Sequence, residues 1–126
     1  MVLAVAKMYG WLIGLLGVLG LFVTDGHLFK FMNADIALDI TRLVLAALLC
    51  YAVYTKNADL ARNGLLFVGV LYVGMGIAGL FDSELWGLLP HGLTGFDIVF
   101  HLVTGIFAIG IAKSSPAATA KSTKKR

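Results

Sequence analysis

The sequence predicts an all-α fold: an integral membrane four-helix bundle, read as a duplicated helical hairpin with a disordered basic C-terminal tail. Three observations carry that reading. First, 60% of the 126 residues are hydrophobic and 13% charged, with a mean hydropathy of +0.92. A soluble chain of this length would lack the polar surface to cover such a core. Second, the apolar residues fall into four long blocks. Third, the charges are sorted between the ends of those blocks in the way a membrane sorts them.

The first span is placed at residues 8–24, an uncharged run beginning after Lys7. The segment before it has no basic n-region and no A-x-A cleavage site follows, so the span is expected to be retained and not removed as a signal peptide. The second is placed at about residues 36–54, which reaches spanning length only if Asp39 and Arg42 lie within its first turns. Residues 64–81 form the third, 18 uncharged positions in a row, about 27 Å of helix at roughly 1.5 Å per residue. The fourth, at about residues 93–112, takes Asp97 into its first turn. Residues 1–112 are thus expected to form one transmembrane unit. The last 14 residues, KSSPAATAKSTKKR, have no apolar periodicity and are expected to be a disordered tail over residues 113–126.

Four spans put both termini on one side. That side would carry Lys7, Lys56, Arg62, Lys113, Lys121, Lys124, Lys125 and Arg126 against Asp59, a net +7. The other would carry Lys30 and Arg42 against Asp25, Asp35, Asp39, Asp82, Glu84 and Asp97, a net −4, and the two together give the formal +3. Basic residues favour the cytoplasmic face, so both termini are expected in the cytoplasm of a cell bounded by this plasma (inner) membrane.

The chain also resembles itself. An offset of 59 residues superposes Gly10, Gly17, Gly20, Leu21 and Phe22 on Gly69, Gly76, Gly79, Leu80 and Phe81, while an offset of 58 brings Asp39-Ile40 onto Asp97-Ile98. Two like hairpins related by an axis along the membrane normal would give this pattern. The glycines suit close helix packing: Gly10, Gly14 and Gly17 on the first span, Gly69 and Gly76 on the third, Gly105 on the fourth. The same faces would also serve a homo-oligomer.

The polar residues inside the spans need accounting for, because lipid offers them no partner. Asp97 and His101 lie four apart and share a helix face, and Asp35, Asp39 and Arg42 form a similar stripe at the start of the second span. These five residues are the candidate polar cluster. It would act either as structural pins that fix helix rotation and depth, or as a proton-handling or ligand-gripping site with His101 as the titratable member. The single cysteine, Cys50, lies in an apolar block as a packing residue. Only His101 lies within a span, His27 and His91 being in loops, so bis-histidine haem is not expected. No HExxH, P-loop, dinucleotide fingerprint or nucleophile elbow is present. No catalytic set, metal, cofactor or nucleic-acid partner is therefore expected; the partner is the lipid bilayer.

In GFDIVFHLVTGIF, Asp97, His101, Leu102 and Gly105 resemble the start of the last helix in the uncharacterised bacterial four-helix membrane proteins grouped as domain of unknown function 4383. Gly87-Leu88-Leu89-Pro90 ahead of it is similar in kind. That family has a polar residue after the Asp, where this chain has Ile98, and by the 58-residue offset Leu43 stands where a second His would fall. The resemblance implies a four-span fold over about residues 8–112 and a bacterial plasma membrane, and no activity. Function is accordingly expected to be that of a non-enzymatic structural or accessory subunit acting through helix packing, alone as an oligomer or in a larger membrane complex. The alternative is a redox or proton-handling subunit of the small quinone-oxidoreductase kind using Asp97 and His101.

Overall fold

The computed structural model describes residues 1–23 and 25–115. Its elements are α1 (Val2–Leu21), a two-residue antiparallel ladder of β1 (His27–Leu28) with β2 (Met32–Asn33), α2 (Ile36–Tyr54), α3 (Ala58–Phe81) and α4 (Gly95–Ser114). Among the described residues these are four helices, each long and apolar enough to cross a membrane. Most large apolar side chains outside the core point outward, Trp11, Tyr54, Phe67, Leu80, Val103 and Ile106 among them. Such a surface suits lipid better than water.

The helix ends depart from the sequence expectation for identifiable reasons. α1 begins at Val2, six residues early, because the segment ahead of Lys7 is itself apolar and Lys7 simply keeps its charge on the surface. It ends at Leu21, and the expected end at Thr24 lies outside the described residues. α3 begins at Ala58 and not at Gly64, since the Asn57 side chain caps it by accepting from the Leu60 N–H at 2.9 Å. α4 starts at Gly95, two residues late, behind a Thr94 capping box, and runs to Ser114. Residues 113 and 114, assigned to the tail, are thus helical; the expected disorder of the tail from residue 116 onward lies outside the described residues.

Two antiparallel hairpins, α1 with α2 and α3 with α4, make up the bundle. The glycines set how closely each pair approaches. A Cβ at Gly10 would meet Cys50 Sγ at 2.9 Å, and one at Gly17 would meet Leu43 Cγ at 3.0 Å. In the second hairpin a Cβ at Gly69 would lie 2.7 Å from the Gly105 carbonyl oxygen and one at Gly105 2.9 Å from that of Gly69, so these two backbones touch. Gly76 packs on Leu102, and Gly14, half-buried, on Ala46.

The contacts over the glycines follow the same spacing in the two hairpins. Gly10 meets Cys50 where Gly69 meets Ile109, and Gly17 meets Leu43 where Gly76 meets Leu102. Each pair of neighbours is 59 residues apart, as the glycines are. The 58-residue offset that aligned Asp39 with Asp97 is therefore not the offset of the packing. By the packing, Asp39 corresponds to Ile98 and Arg42 to His101.

The hairpins meet over a core that includes Tyr9, Ile13, Leu49, Leu65, Val68 and Tyr72. Tyr9 ties α1 to α4 by donating its hydroxyl to the Thr104 carbonyl at 2.6 Å. At the end that carries both termini, Arg62 Nε donates to the Ser115 carbonyl at 3.1 Å. The opposite, loop end holds the polar groups.

Candidate functional site

Six polar side chains are buried at the loop end: Asn33, Asp35, Asp39, Arg42, Asp97 and His101. All five residues singled out from the sequence are among them. The sixth, Asn33, is the hub. Its backbone N–H donates to Asp97 Oδ2 at 2.7 Å, and its carbonyl accepts from Arg42 Nη1 at 3.1 Å. Its side-chain amide donates to Asp35 Oδ2 at 2.8 Å and to the Gly92 carbonyl at 2.7 Å, while Oδ1 accepts from the Asp35 N–H at 2.8 Å. One residue thus joins the β-ladder, the start of α2, the loop before α4 and the first turn of α4. In an interior of low dielectric a fully satisfied hub of this kind fixes one arrangement of the elements it touches.

Asp97 sits at N3 of α4, where its Oδ2 also accepts from the Thr94 N–H at 2.9 Å. The Thr94 hydroxyl accepts from the Asp97 N–H at 3.1 Å and donates to the Phe31 carbonyl at 2.6 Å. The cap therefore terminates a helix and ties it to the ladder. Thr94→Ala is expected to lower the unfolding free energy by about 1–2 kcal/mol, measured by reversible unfolding in mixed micelles, with Thr94→Ser retaining most of it.

Asp39 and Arg42 form an ion pair within α2, Nη1 to Oδ1 at 2.9 Å, with both side chains out of solvent. The carboxylate lies against Gly20 of α1, whose missing side chain makes the room. Asp35, just before α2, is held by Asn33, by the His91 N–H at 2.9 Å and by the His91 ring through Nδ1. Burial alone would raise the Asp35 carboxyl, but the hydrogen bonds from the His91 ring, Asn33 and the His91 backbone, with the His91 charge, hold it below its ordinary 3.8. A depressed carboxyl contributes stability that is complete above its unfolded value and is lost as pH falls through its folded value. Asp35 is therefore expected to add an acid-side loss of stability below about pH 4. Unfolding titrations at a series of acid pH values should show that slope in the native chain and a flatter one in Asp35→Asn.

Asp97 and His101 share a face as expected, yet they do not hydrogen bond to each other. Asp97 Oδ1 has no protein partner, and neither has either ring nitrogen of His101. The His101 ring is instead enclosed by aromatic neighbours, with Tyr72 edge-on at a centroid distance of 4.7 Å and Phe100 at 5.9 Å. Arg42 Nε and Nη2 and Asp39 Oδ2 are likewise without a protein partner. Among the described residues no three His, Cys, Asp or Glu side chains are grouped so as to hold a metal ion.

Sequence reasoning missed Asn33, Thr94 and His91. Asn33-Ala34-Asp35 has the look of an Asx turn and Thr94 followed by Asp97 that of a capping box, and these were the local signals on offer. The distant partners of Asn33, Gly92 and Asp97, and the partner of His91, Asp35, lie 56 to 64 residues away, where no local pattern reaches.

The chain matches no protein-family model, no curated protein and no solved structure.

Proposed function

We propose that the chain is a multi-pass protein of a bacterial plasma membrane, crossing it four times with both termini in the cytoplasm, and that it acts as a non-enzymatic structural or accessory subunit through its helix surfaces. One observation carries this reading: a shallow apolar groove of about 330 Å³ along the outside of the first hairpin, floored by Gly10, Gly14, Ala46 and Ala47. Small residues at such a groove let another transmembrane helix approach closely. That helix belongs to a second copy or to a larger complex. The buried polar groups then serve as a clasp that holds the start of α2 to α4 and the loop before it, with the Asp39 carboxylate seated against Gly20 of α1. The duplicated hairpin and the likeness to the domain of unknown function 4383 family belong to the same reading, supported by the paired glycine contacts and by Asp97, His101, Leu102 and Gly105. Native mass spectrometry after mild extraction tests it. A dimer or a co-purifying protein, lost in Gly14→Leu, is expected; a lone monomer under all mild conditions defeats it.

A second reading has its own support. His101 and Asp97 Oδ1, buried and without protein partners, suit a proton-handling subunit of the quinone-oxidoreductase kind. Under it the purified protein retains a quinone, and His101→Ala lowers membrane redox activity. Absence of both effects removes it.

A further inference from the structure

We propose that the cleft between the end of α1 and the start of α2 binds an amphipathic molecule with a protonated-amine head, the ammonium group on the carboxylates of Asp39 and Asp35 and the apolar chain against Leu21, Ala37 and Leu88. The cleft measures about 400 Å³, within the range of small-molecule sites. Its walls are mostly apolar, and its polar lining is Asp35, Asp39 and His91.

Three features select the ligand. Asp39 is wholly buried, lines the cleft, and its Oδ2 has no donor from the protein. A carboxylate oxygen removed from water in that way calls for a hydrogen-bond donor. Charge decides which donor: of the three buried carboxylates, Asp39 has Arg42 at Oδ1 alone, Asp35 has the His91 ring, and Asp97 is held by Asn33 and Thr94 with no cation among the described residues, so one negative charge is in excess even with His91 counted. An alcohol would satisfy Oδ2 and leave the excess negative charge in place, and an anion would add to it. A protonated amine supplies both the N–H and the charge. The walls then account for the rest of the molecule, since an apolar chain lies more favourably against Leu21, Ala37 and Leu88 than in water. Gly26, at φ +82°, leaves the space that the His91 ring fills beside the cleft, so the ring and the carboxylate it holds keep their places there.

The cleft is at the loop end of helices that would cross the membrane, the level at which lipid heads lie. The proposal rests on the membrane placement given above and not on assembly, so a monomeric chain would leave it standing. Two sources offer the chemistry, the ethanolamine head of a lipid and a free long-chain amine.

The test uses the full chain in phosphatidylcholine nanodiscs, titrated with octylamine and, as the uncharged match, octanol, with empty nanodiscs subtracted. One octylamine per chain is expected, bound about tenfold or more tighter than octanol. Asp39→Asn and Ala37→Phe, each with its unfolding midpoint measured, should lose that preference; Ala37→Phe fills the cleft without touching the polar groups. In nanodiscs of mixed phosphatidylethanolamine and phosphatidylcholine, enrichment of the ethanolamine lipid on the native chain that octylamine reverses identifies the lipid head as the source. Octylamine binding without enrichment identifies a free amine. Equal retention of octylamine and octanol by the native chain, or an unchanged preference in either folded variant, overturns the proposal.

Discussion

Arg42→Met is expected to destabilise the bundle by about 3–5 kcal/mol, and Asp39→Val in the same chain to restore most of that loss. The pair is buried, so removing the guanidinium strands the Asp39 carboxylate where neither oxygen then has a partner: Oδ2 already lacks one, and Oδ1 has Arg42 alone. The Asn33 carbonyl loses its donor in the same step. Replacing both charges by apolar groups of similar shape removes the stranded charge, which is why the double variant should recover. Only the cost of the unpaired Asn33 carbonyl, about 1 kcal/mol, should persist. Reversible unfolding in mixed micelles, analysed as a double-mutant cycle, reads the coupling directly. A double variant no more stable than Arg42→Met would show that the ion pair is not what the interior depends on.

Gly69→Leu should be the second most damaging single change, at or above the upper end of the roughly 1–3 kcal/mol that overpacking costs. Its Cβ would lie 2.7 Å from the Gly105 carbonyl and 3.0 Å from the Ile109 N, and these are backbone atoms that cannot rotate away. α3 and α4 would have to separate along their length. Gly74 and Gly110 provide the control on the same two helices, because a Cβ at either meets nothing within 4 Å. Gly74→Ala and Gly110→Ala should leave the unfolding free energy unchanged or slightly higher, by at most about 1 kcal/mol. A Gly69→Leu chain as stable as these two would mean that the close approach of the hairpin's backbones contributes nothing.

How far the sequence carried can be judged from particular residues. The four helices were legible because uninterrupted apolar blocks have few other uses. Their ends were less so. Asn57 and Thr94 decide where α3 and α4 begin, and a capping side chain counts for nothing in a count of apolar letters. Asp97 and His101 were correctly placed on one face, since that follows from helical spacing alone. That they do not bond to each other was not legible: Asp97 turns to Thr94 and Asn33, which the fold brings to it. The register of the two halves misled for a related reason. Matching letters gave two offsets, 59 for the glycines and 58 for the Asp-Ile pairs, and the residues lying over the glycines follow the first, so that Leu43 matches Leu102.

The spacing of the clasp's bonds along the chain also bears on how the protein is made. Asp39 and Arg42 are three residues apart on one helix, so α2 can neutralise its own charges as soon as it forms. Asn33 and Asp35 bond to each other across two residues, yet the rest of their hydrogen bonds cannot be made locally. Their partners Gly92, His91 and Asp97 are synthesised more than fifty residues later, so the first hairpin must wait, with its loop unfastened, until the fourth helix arrives to lock it. Chains arrested before residue 91 should therefore present a protease-sensitive segment around Asn33 that the finished protein conceals.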